Sequence, residues 1–202
     1  MLTKAIFLGI IILVILQRLI ELKISKDHAA DILAQGGQQH SDNLLSVVKL
    51  MQISWWIAMI AEVWYFNRPW IPTLAFISLV GLIGGQSLRY LSMQALGWRW
   101  TLSIMTVPSL SVVNGGVYQY LRHPNWLGVI LEIFFLPLIQ GAFITAITFS
   151  LLNAVVMSQR IQAEEKALME TTNYATVMAE KPRFIPNLAQ LASSLISNNL
   201  NP

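Results

Sequence analysis

Two short clusters gather side chains that could do chemistry. The first reads Gly115-Gly116-Val117-Tyr118-Gln119-Tyr120-Leu121-Arg122-His123-Pro124-Asn125-Trp126-Leu127-Gly128, and Arg160-Ile161-Gln162-Ala163-Glu164-Glu165 follows about thirty residues later. Tyr118 and Trp126 offer flat faces that attract a cation by about 0.5–2 kcal/mol. His123 can donate or accept, and Glu164 can accept from an ammonium group. Arg160 presents a planar fork matched to carboxylate. Ionisable groups at both ends of a long apolar stretch point to a polar ligand held against a lipid-facing cavity. Each residue alone has a plainer reading. Arg160 and Glu164, four apart on a helix, are placed as an ordinary ion pair, and a histidine before proline is commonly a loop residue. Three histidines (His28, His40 and His123) without a thiol do not make a zinc site, so no metal is expected.

The elements that must position these residues are apolar helices. Of 202 residues, 55% are hydrophobic and 11% charged, against about 25% charged in soluble domains. Cysteine is absent, which excludes disulfides and thiolate chemistry. A net charge of +3 with no basic stripe gives no reason to expect nucleic acid, and nothing in the sequence points to a soluble protein partner. Crossing a hydrocarbon core of roughly 30 Å takes about 20 residues of helix. Residues 4–22 just suffice, with Arg18 and Glu21 snorkelling to one interface. Lys4 before an apolar run resembles a signal peptide, but Arg18, Glu21 and Lys23 follow where a small-residue cleavage site would stand. A retained anchor is therefore expected.

A polar stretch from His28 to Asn43 comes next, broken by Gly36-Gly37. Residues 45–66 and 70–93 form an antiparallel pair across the turn Asn67-Arg68-Pro69. Residues 94–126, with Arg99, Pro108, Arg122 and Pro124, cannot cross lipid as irregular backbone and form a cytosol-side connector. Pro137 and Gly141 split the last apolar run into helices 125–138 and 142–166, the first short. The expected fold is an all-α integral membrane protein with about five membrane-embedded helices, the last two a hairpin beside a cytosolic cofactor pocket. Three regions are expected: transmembrane helices in 1–93, a cofactor-binding and catalytic region in 94–186, and a polar tail in 187–202.

With the N-terminus outside, Lys4 and Arg68 lie on one side and the other eleven lysines and arginines on the other, a strong positive-inside bias. This orientation puts both clusters in the cytosol. Intramembrane carboxylates are functional or paired. Glu132, two turns into the hairpin, lines the pocket or pairs with a nearby arginine, and Glu62 snorkels or pairs. The tryptophans of 55–70 read as belt or packing residues, and Gly81, Gly84 and Gly85 as sites of close helix approach.

The segment Gly116 to Gly128, followed by Arg160 with Glu164-Glu165, resembles the isoprenylcysteine carboxyl methyltransferase family. The resemblance rests on Gly116 and Tyr118, on Arg122-His123-Pro124-Asn125-Trp126-Leu127-Gly128, on the hairpin, and on the arginine before paired glutamates. Tyr174 and Pro182-Arg183-Phe184-Ile185-Pro186 extend it, so that it covers residues 95–186. Trp126 stands where tyrosine is commoner, and Val177 replaces a frequent aromatic. The first helix ends in Arg18-Leu19-Ile20-Glu21-Leu22, similar to a short bacterial branch that includes methyltransferases of long-chain pyrones and phenolic lipids.

The resemblance implies S-adenosylmethionine as methyl donor, touching Leu110, Ser111, Val112, Val113, Tyr118, His123, Pro124, Asn125, Trp126 and Glu164, with Arg160 facing the acceptor. The acceptor would be lipid-like, an isoprenylcysteine-type carboxylate or a pyrone or phenol hydroxyl, handled beside membrane lipids. A carboxylate is already ionised at pH 7 and needs only a cation to aim it; a hydroxyl wants a base, for which His123 or Glu165 is the candidate. Arg160 and Glu165 are thus the expected catalytic residues, and Arg160 and Glu132 the expected substrate contacts. Membrane sterol and enone reductases share a similar His-Pro and glutamate arrangement, but NADPH needs extra basic residues for its 2′-phosphate, and the connector has few. A non-enzymatic lipid-binding protein of the same fold is the remaining alternative.

Overall fold

Gly85 on the third helix and Gly128 on the fourth meet backbone to backbone. A Cβ added at Gly128 would lie 2.6 Å from the Gly85 carbonyl oxygen, and one at Gly85 would lie 2.9 Å from that of Gly128. This crossing fixes the bundle, because the fourth helix begins at the His-Pro motif. Gly81 likewise lies under the ring of Phe135. Gly84 is the exception to the expectation, facing open space rather than a partner helix.

The computed structural model describes residues 1–42, 44–108 and 110–186; the expected tail 187–202 lies outside the described residues. The order is α1 (Leu2–Ala34), β1 (Gln38–Gln39), α2 (Leu45–Tyr65), α3 (Pro72–Leu96), β2 (Met105–Thr106), α4 (Pro124–Leu138), α5 (Phe143–Thr171) and α6 (Tyr174–Met178). Single 3₁₀ turns lie at Gly97–Arg99 and Gly116–Gln119. Among the described residues α1, α2, α3 and α5 are long and apolar enough to cross a bilayer, and α4 is a shorter apolar helix. The chain is a multi-pass, all-α membrane protein.

The first helix is longer than expected. It does not stop at residue 22 but runs 33 residues to Ala34, about 50 Å at 1.5 Å per residue. Lys23, Lys26 and Asp27 mark where the helix leaves the apolar layer, not where it ends. Ser25 and Ile32 are buried; the Ser25 hydroxyl accepts the Leu102 N–H at 2.8 Å, and His28 Nδ1 bonds to the Trp100 carbonyl at 2.9 Å. The helix closes at Gly36, where φ is +79°, with the N–H of Gly37 donating back to Ile32 at 2.9 Å. That left-handed turn is what glycine supplies.

The polar loop after α1 is sewn to the connector. β1 and β2 form a short antiparallel ladder, Gln38 opposite Thr106 and Gln39 opposite Met105, and His40 Nε2 bonds to Thr106 Oγ1 at 2.8 Å. Phe7, Ile11 and Val14 of α1 pack with Trp55, Met59 and Val63 of α2, and with Leu136 and Ile139 near the hairpin turn. Trp55 is thus a core residue, while Trp64 and Trp70 are exposed at the far end.

Three carboxylates hold helices together. Glu62 accepts the backbone N–H groups of Ile144 and Thr145 at 3.1 and 2.7 Å and pairs with Arg68 at 2.8 Å. It thereby caps α5, whose first N–H groups have no partner within the helix. Arg18 and Glu21 do not snorkel. Glu21 binds Arg18 and Arg89, each at 2.5 Å, and Arg18 also binds Glu132. Two cations balance two anions across α1, α3 and α4, which is how charge persists at membrane depth.

Candidate active site

α4 starts at Pro124, whose missing N–H and fixed φ suit a first helical turn. His123 is therefore the last residue before the helix, and it is 4% exposed. Its Nε2 lies 3.0 Å from Glu165 Oε1, and its Nδ1 faces Glu164 at 4.0 Å. One turn into α4, Trp126 Nε1–H donates to Glu164 Oε2 at 3.1 Å. The Arg160 guanidinium stacks over the Trp126 ring, 5.2 Å from its centre. Arg160 and Glu164, four apart on α5, are not paired with each other; each turns to the start of α4.

These groups open on one cavity of about 440 Å³, within the range typical of small-molecule sites. Its polar wall includes Tyr118, His123, Asn125, Trp126, Arg160 and Glu164, together with Leu110, Ser111, Val112 and Val113. Its apolar wall comes from Leu19 and Leu22 of α1, Val48, Ile53 and Trp56 of α2, and Val129 and Ile133 of α4. The cavity therefore draws on both the first helices and the C-terminal half. Asn125 Oδ1 is buried with no hydrogen-bond partner, an acceptor waiting for a donor. The Tyr118 hydroxyl is hydrogen-bonded to Ser92, and burial pushes its pKa well up, with the Glu164 charge adding to the effect. Tyr118 thus stays a neutral phenol at any physiological pH.

The 110–113 segment is irregular and held from outside. Arg99 donates to the Ser111 carbonyl at 2.7 Å, and the Val112 N–H donates to Asn173 Oδ1 at 2.9 Å. Asn173 stands at the start of α6, and Tyr174 beside it is buried against Tyr118. Neither role is visible from spacing, since Asn173 lies 61 residues from its partner.

Three expected site residues sit elsewhere. Pro124 is buried as a helix starter and is not among the residues that line the cavity. Glu132 is 1% exposed and bound to Arg18, so it pairs rather than lining the cavity. Glu165, expected as a catalytic base, is a hub: besides His123 it binds Arg183 at 2.6 Å and Arg122 at 3.2 Å, with the Tyr174 hydroxyl at 3.5 Å. Backbone bonds from Arg122 N to Pro182 O and from His123 N to Arg183 O, 3.0 and 3.2 Å, close the same clasp. The Pro182-Arg183 element thus locks the His-Pro turn onto α5. The Glu165 carboxylate is engaged on both oxygens, lies outside the residues that line the cavity, and holds His123 in place.

A fold of apolar helices with a polar cavity at a His-Pro helix start defines a class. The family model described as isoprenylcysteine carboxyl methyltransferase matches residues 76–170. An uncharacterized protein of Bacillus subtilis, YpbQ, is 34% identical over 162 residues, covering 80% of this chain and 95% of that one. An uncharacterized protein of Haemophilus influenzae is 27% identical over 152 residues, covering 75% and 88%. Among solved structures, the eukaryotic intramembrane Ras methyltransferase ICMT superposes with a TM-score of 0.58 at 22% identity, over 70% of this chain. The chain spans about half, 52%, of that protein. The chain belongs to the isoprenylcysteine carboxyl methyltransferase family, and membership points to a membrane methyltransferase.

Proposed function

We propose that the protein transfers a methyl group from S-adenosylmethionine to an oxygen of a lipid-like acceptor at the cytosolic face of the membrane. The observation that carries this reading is one cavity that joins the polar start of α4 to a mostly apolar wall from α1 and α2, Leu19, Leu22, Val48, Ile53 and Trp56, beside Arg18, Glu21, Lys49 and Gln52. When bound, the donor supplies an electrophilic methyl group on a sulfonium cation. The residues present suit it. Glu164 and the unpartnered Asn125 Oδ1 can accept from its ammonium and adenine donors. Trp126 and Tyr118 offer aromatic surface to ring or sulfonium, and the 110–113 backbone offers amide and carbonyl groups. Arg160, stacked on Trp126 and lining the same cavity, is the residue that would face the acceptor. The cavity's apolar wall excludes water from the reacting oxygen and accommodates a lipid tail. The charge asymmetry supports an outside N-terminus, with Lys4 bonded to Asn67 at the far end from the cavity.

Equilibrium binding of labelled S-adenosylmethionine to purified protein tests the reading. The expected result is saturable binding that weakens about tenfold in Glu164→Gln, the size of one charge-assisted hydrogen bond. Absence of binding by the wild-type protein, or binding of NADPH in its place, overturns it.

A further inference from the structure

Arg160 is not free to meet an anion. Its Nη2 donates to Asp42 Oδ2 at 2.5 Å and to the Leu102 carbonyl at 2.7 Å. One face lies against Trp126, and its Nε is buried without a partner. Both carboxylate and guanidinium are nearly sealed, with 6% and 5% of their side chains exposed. Asp42 belongs to the loop after α1, 118 residues away in sequence, and that loop is fixed in place by the β1–β2 ladder and by His40 on Thr106. The pairing is therefore built into the fold.

An arginine recognises a carboxylate through two parallel N–H donors. Here one arm of that fork is already held by a carboxylate and a carbonyl. A ligand carboxylate would have to displace Asp42 or share one guanidinium with it, and two carboxylates on one cation repel. A neutral hydroxyl has the opposite fit. It can accept from the Arg160 guanidinium, which lines the cavity, and brings no second negative charge beside Asp42, leaving the ion pair intact.

We infer that Asp42 is a specificity-determining residue: it neutralises Arg160, so the cavity takes an acceptor bearing a neutral hydroxyl and rejects one bearing a carboxylate. The inference rests on the methyl-acceptor reading of this cavity and narrows its acceptor class. It acts by subtraction, as discrimination often does, through a group that repels the wrong ligand.

A matched pair of probes tests it: para-dodecylphenol and para-dodecylbenzoate, alike in ring and tail, titrated calorimetrically against the full chain in nanodiscs without methyl donor. Wild-type protein is expected to bind the phenol about tenfold or more tightly over the benzoate. Asp42→Asn, which frees the guanidinium charge, is expected to reverse the order, and Asp42→Glu to restore it. A merely structural Asp42 predicts that both ligands weaken together in Asp42→Asn; that result overturns the inference, as does a wild-type preference for the benzoate. Binding of S-adenosylmethionine is measured on the same samples. Its absence sinks the methyltransferase reading by itself, whereas its presence alongside an unreversed preference sinks only the role of Asp42.

Discussion

In a Glu165→Gln variant the side chain keeps its length and volume but loses its charge and one acceptor oxygen. Both oxygens are used in the wild type: Oε1 by His123 at 3.0 Å, Arg122 at 3.2 Å and Arg183 Nε at 3.1 Å, and Oε2 by Arg183 Nη2 at 2.6 Å. The new amide group would point two N–H donors at groups that themselves donate. Breaking a fully buried pair from one side costs about 3–5 kcal/mol. Arg183 and Arg122 are 44% and 18% exposed and can rehydrate, so the lower figure of about 2–3 kcal/mol is the better expectation. For a chain of this size that is roughly 4–12 °C in Tm. The damage should be local, because the clasp of residues 182–183 onto 122–123 depends on the same carboxylate. Two measurements follow in detergent: thermal unfolding, and the rate of tryptic cleavage after Arg183. Both should change, and S-adenosylmethionine binding should weaken as His123 loses its anchor. A variant with unchanged Tm, unchanged cleavage and normal donor binding, yet no methyl transfer, would show Glu165 to be a catalytic group and refute the hub assignment.

Gly128→Ala should destabilise by about 1–3 kcal/mol, because its Cβ meets the Gly85 carbonyl and Arg89 Cγ at 2.6 Å each. It should also weaken donor binding by shifting the turn that carries Asn125 and Trp126, whereas Gly84→Ala, facing open space, should leave Tm unchanged or raised; equal losses in the two variants contradict the crossing described above. Burial pushes the phenols of Tyr118 and Tyr174 above the ordinary value of 10.0. Below about pH 9 folded and unfolded chains hold both protons, so these groups give no pH dependence. Above it the unfolded chain ionises first and stability falls with rising pH. A Tyr118→Phe, Tyr174→Phe double variant should therefore lose Tm less steeply between about pH 9.5 and 11, and an unchanged slope would show that neither phenol is shielded.

Local spacing exposed what is local. The hairpin break was legible because Pro137 and Gly141 stop a run too long for one span, and the structure ends α4 at Leu138 and starts α5 at Phe143. The convergence of His123, Trp126, Arg160 and Glu164 was legible from their types at the two ends of that hairpin. The overlong α1 was not, because Lys23, Lys26 and Asp27 signal departure from lipid, and departure from lipid is a different event from the end of a helix. Gly36-Gly37 was the better stop signal, since only the left-handed turn there closes the last carbonyls.

The pairings that spacing left open or missed share one physical origin. Asp42, Asn173 and Glu132 bond to partners 118, 61 and 114 residues away, and hydropathy carries no term for such pairing. Charge neutrality does. A glutamate inside a span needs a cation, and Arg18 and Arg89 are the arginines set within the first and third spans. Counting them as cytosolic charges, as an orientation argument does, hides the pairing with Glu21 and Glu132 that the bilayer demands. The same reasoning, applied to Arg160, asks which anion compensates a sealed guanidinium before any ligand arrives. Glu164, four residues on, is the obvious answer by spacing, yet it bonds to Trp126 instead. The compensating group is Asp42, so the charge that would attract an acceptor is already balanced by the fold, and the chemistry of the acceptor follows from that balance.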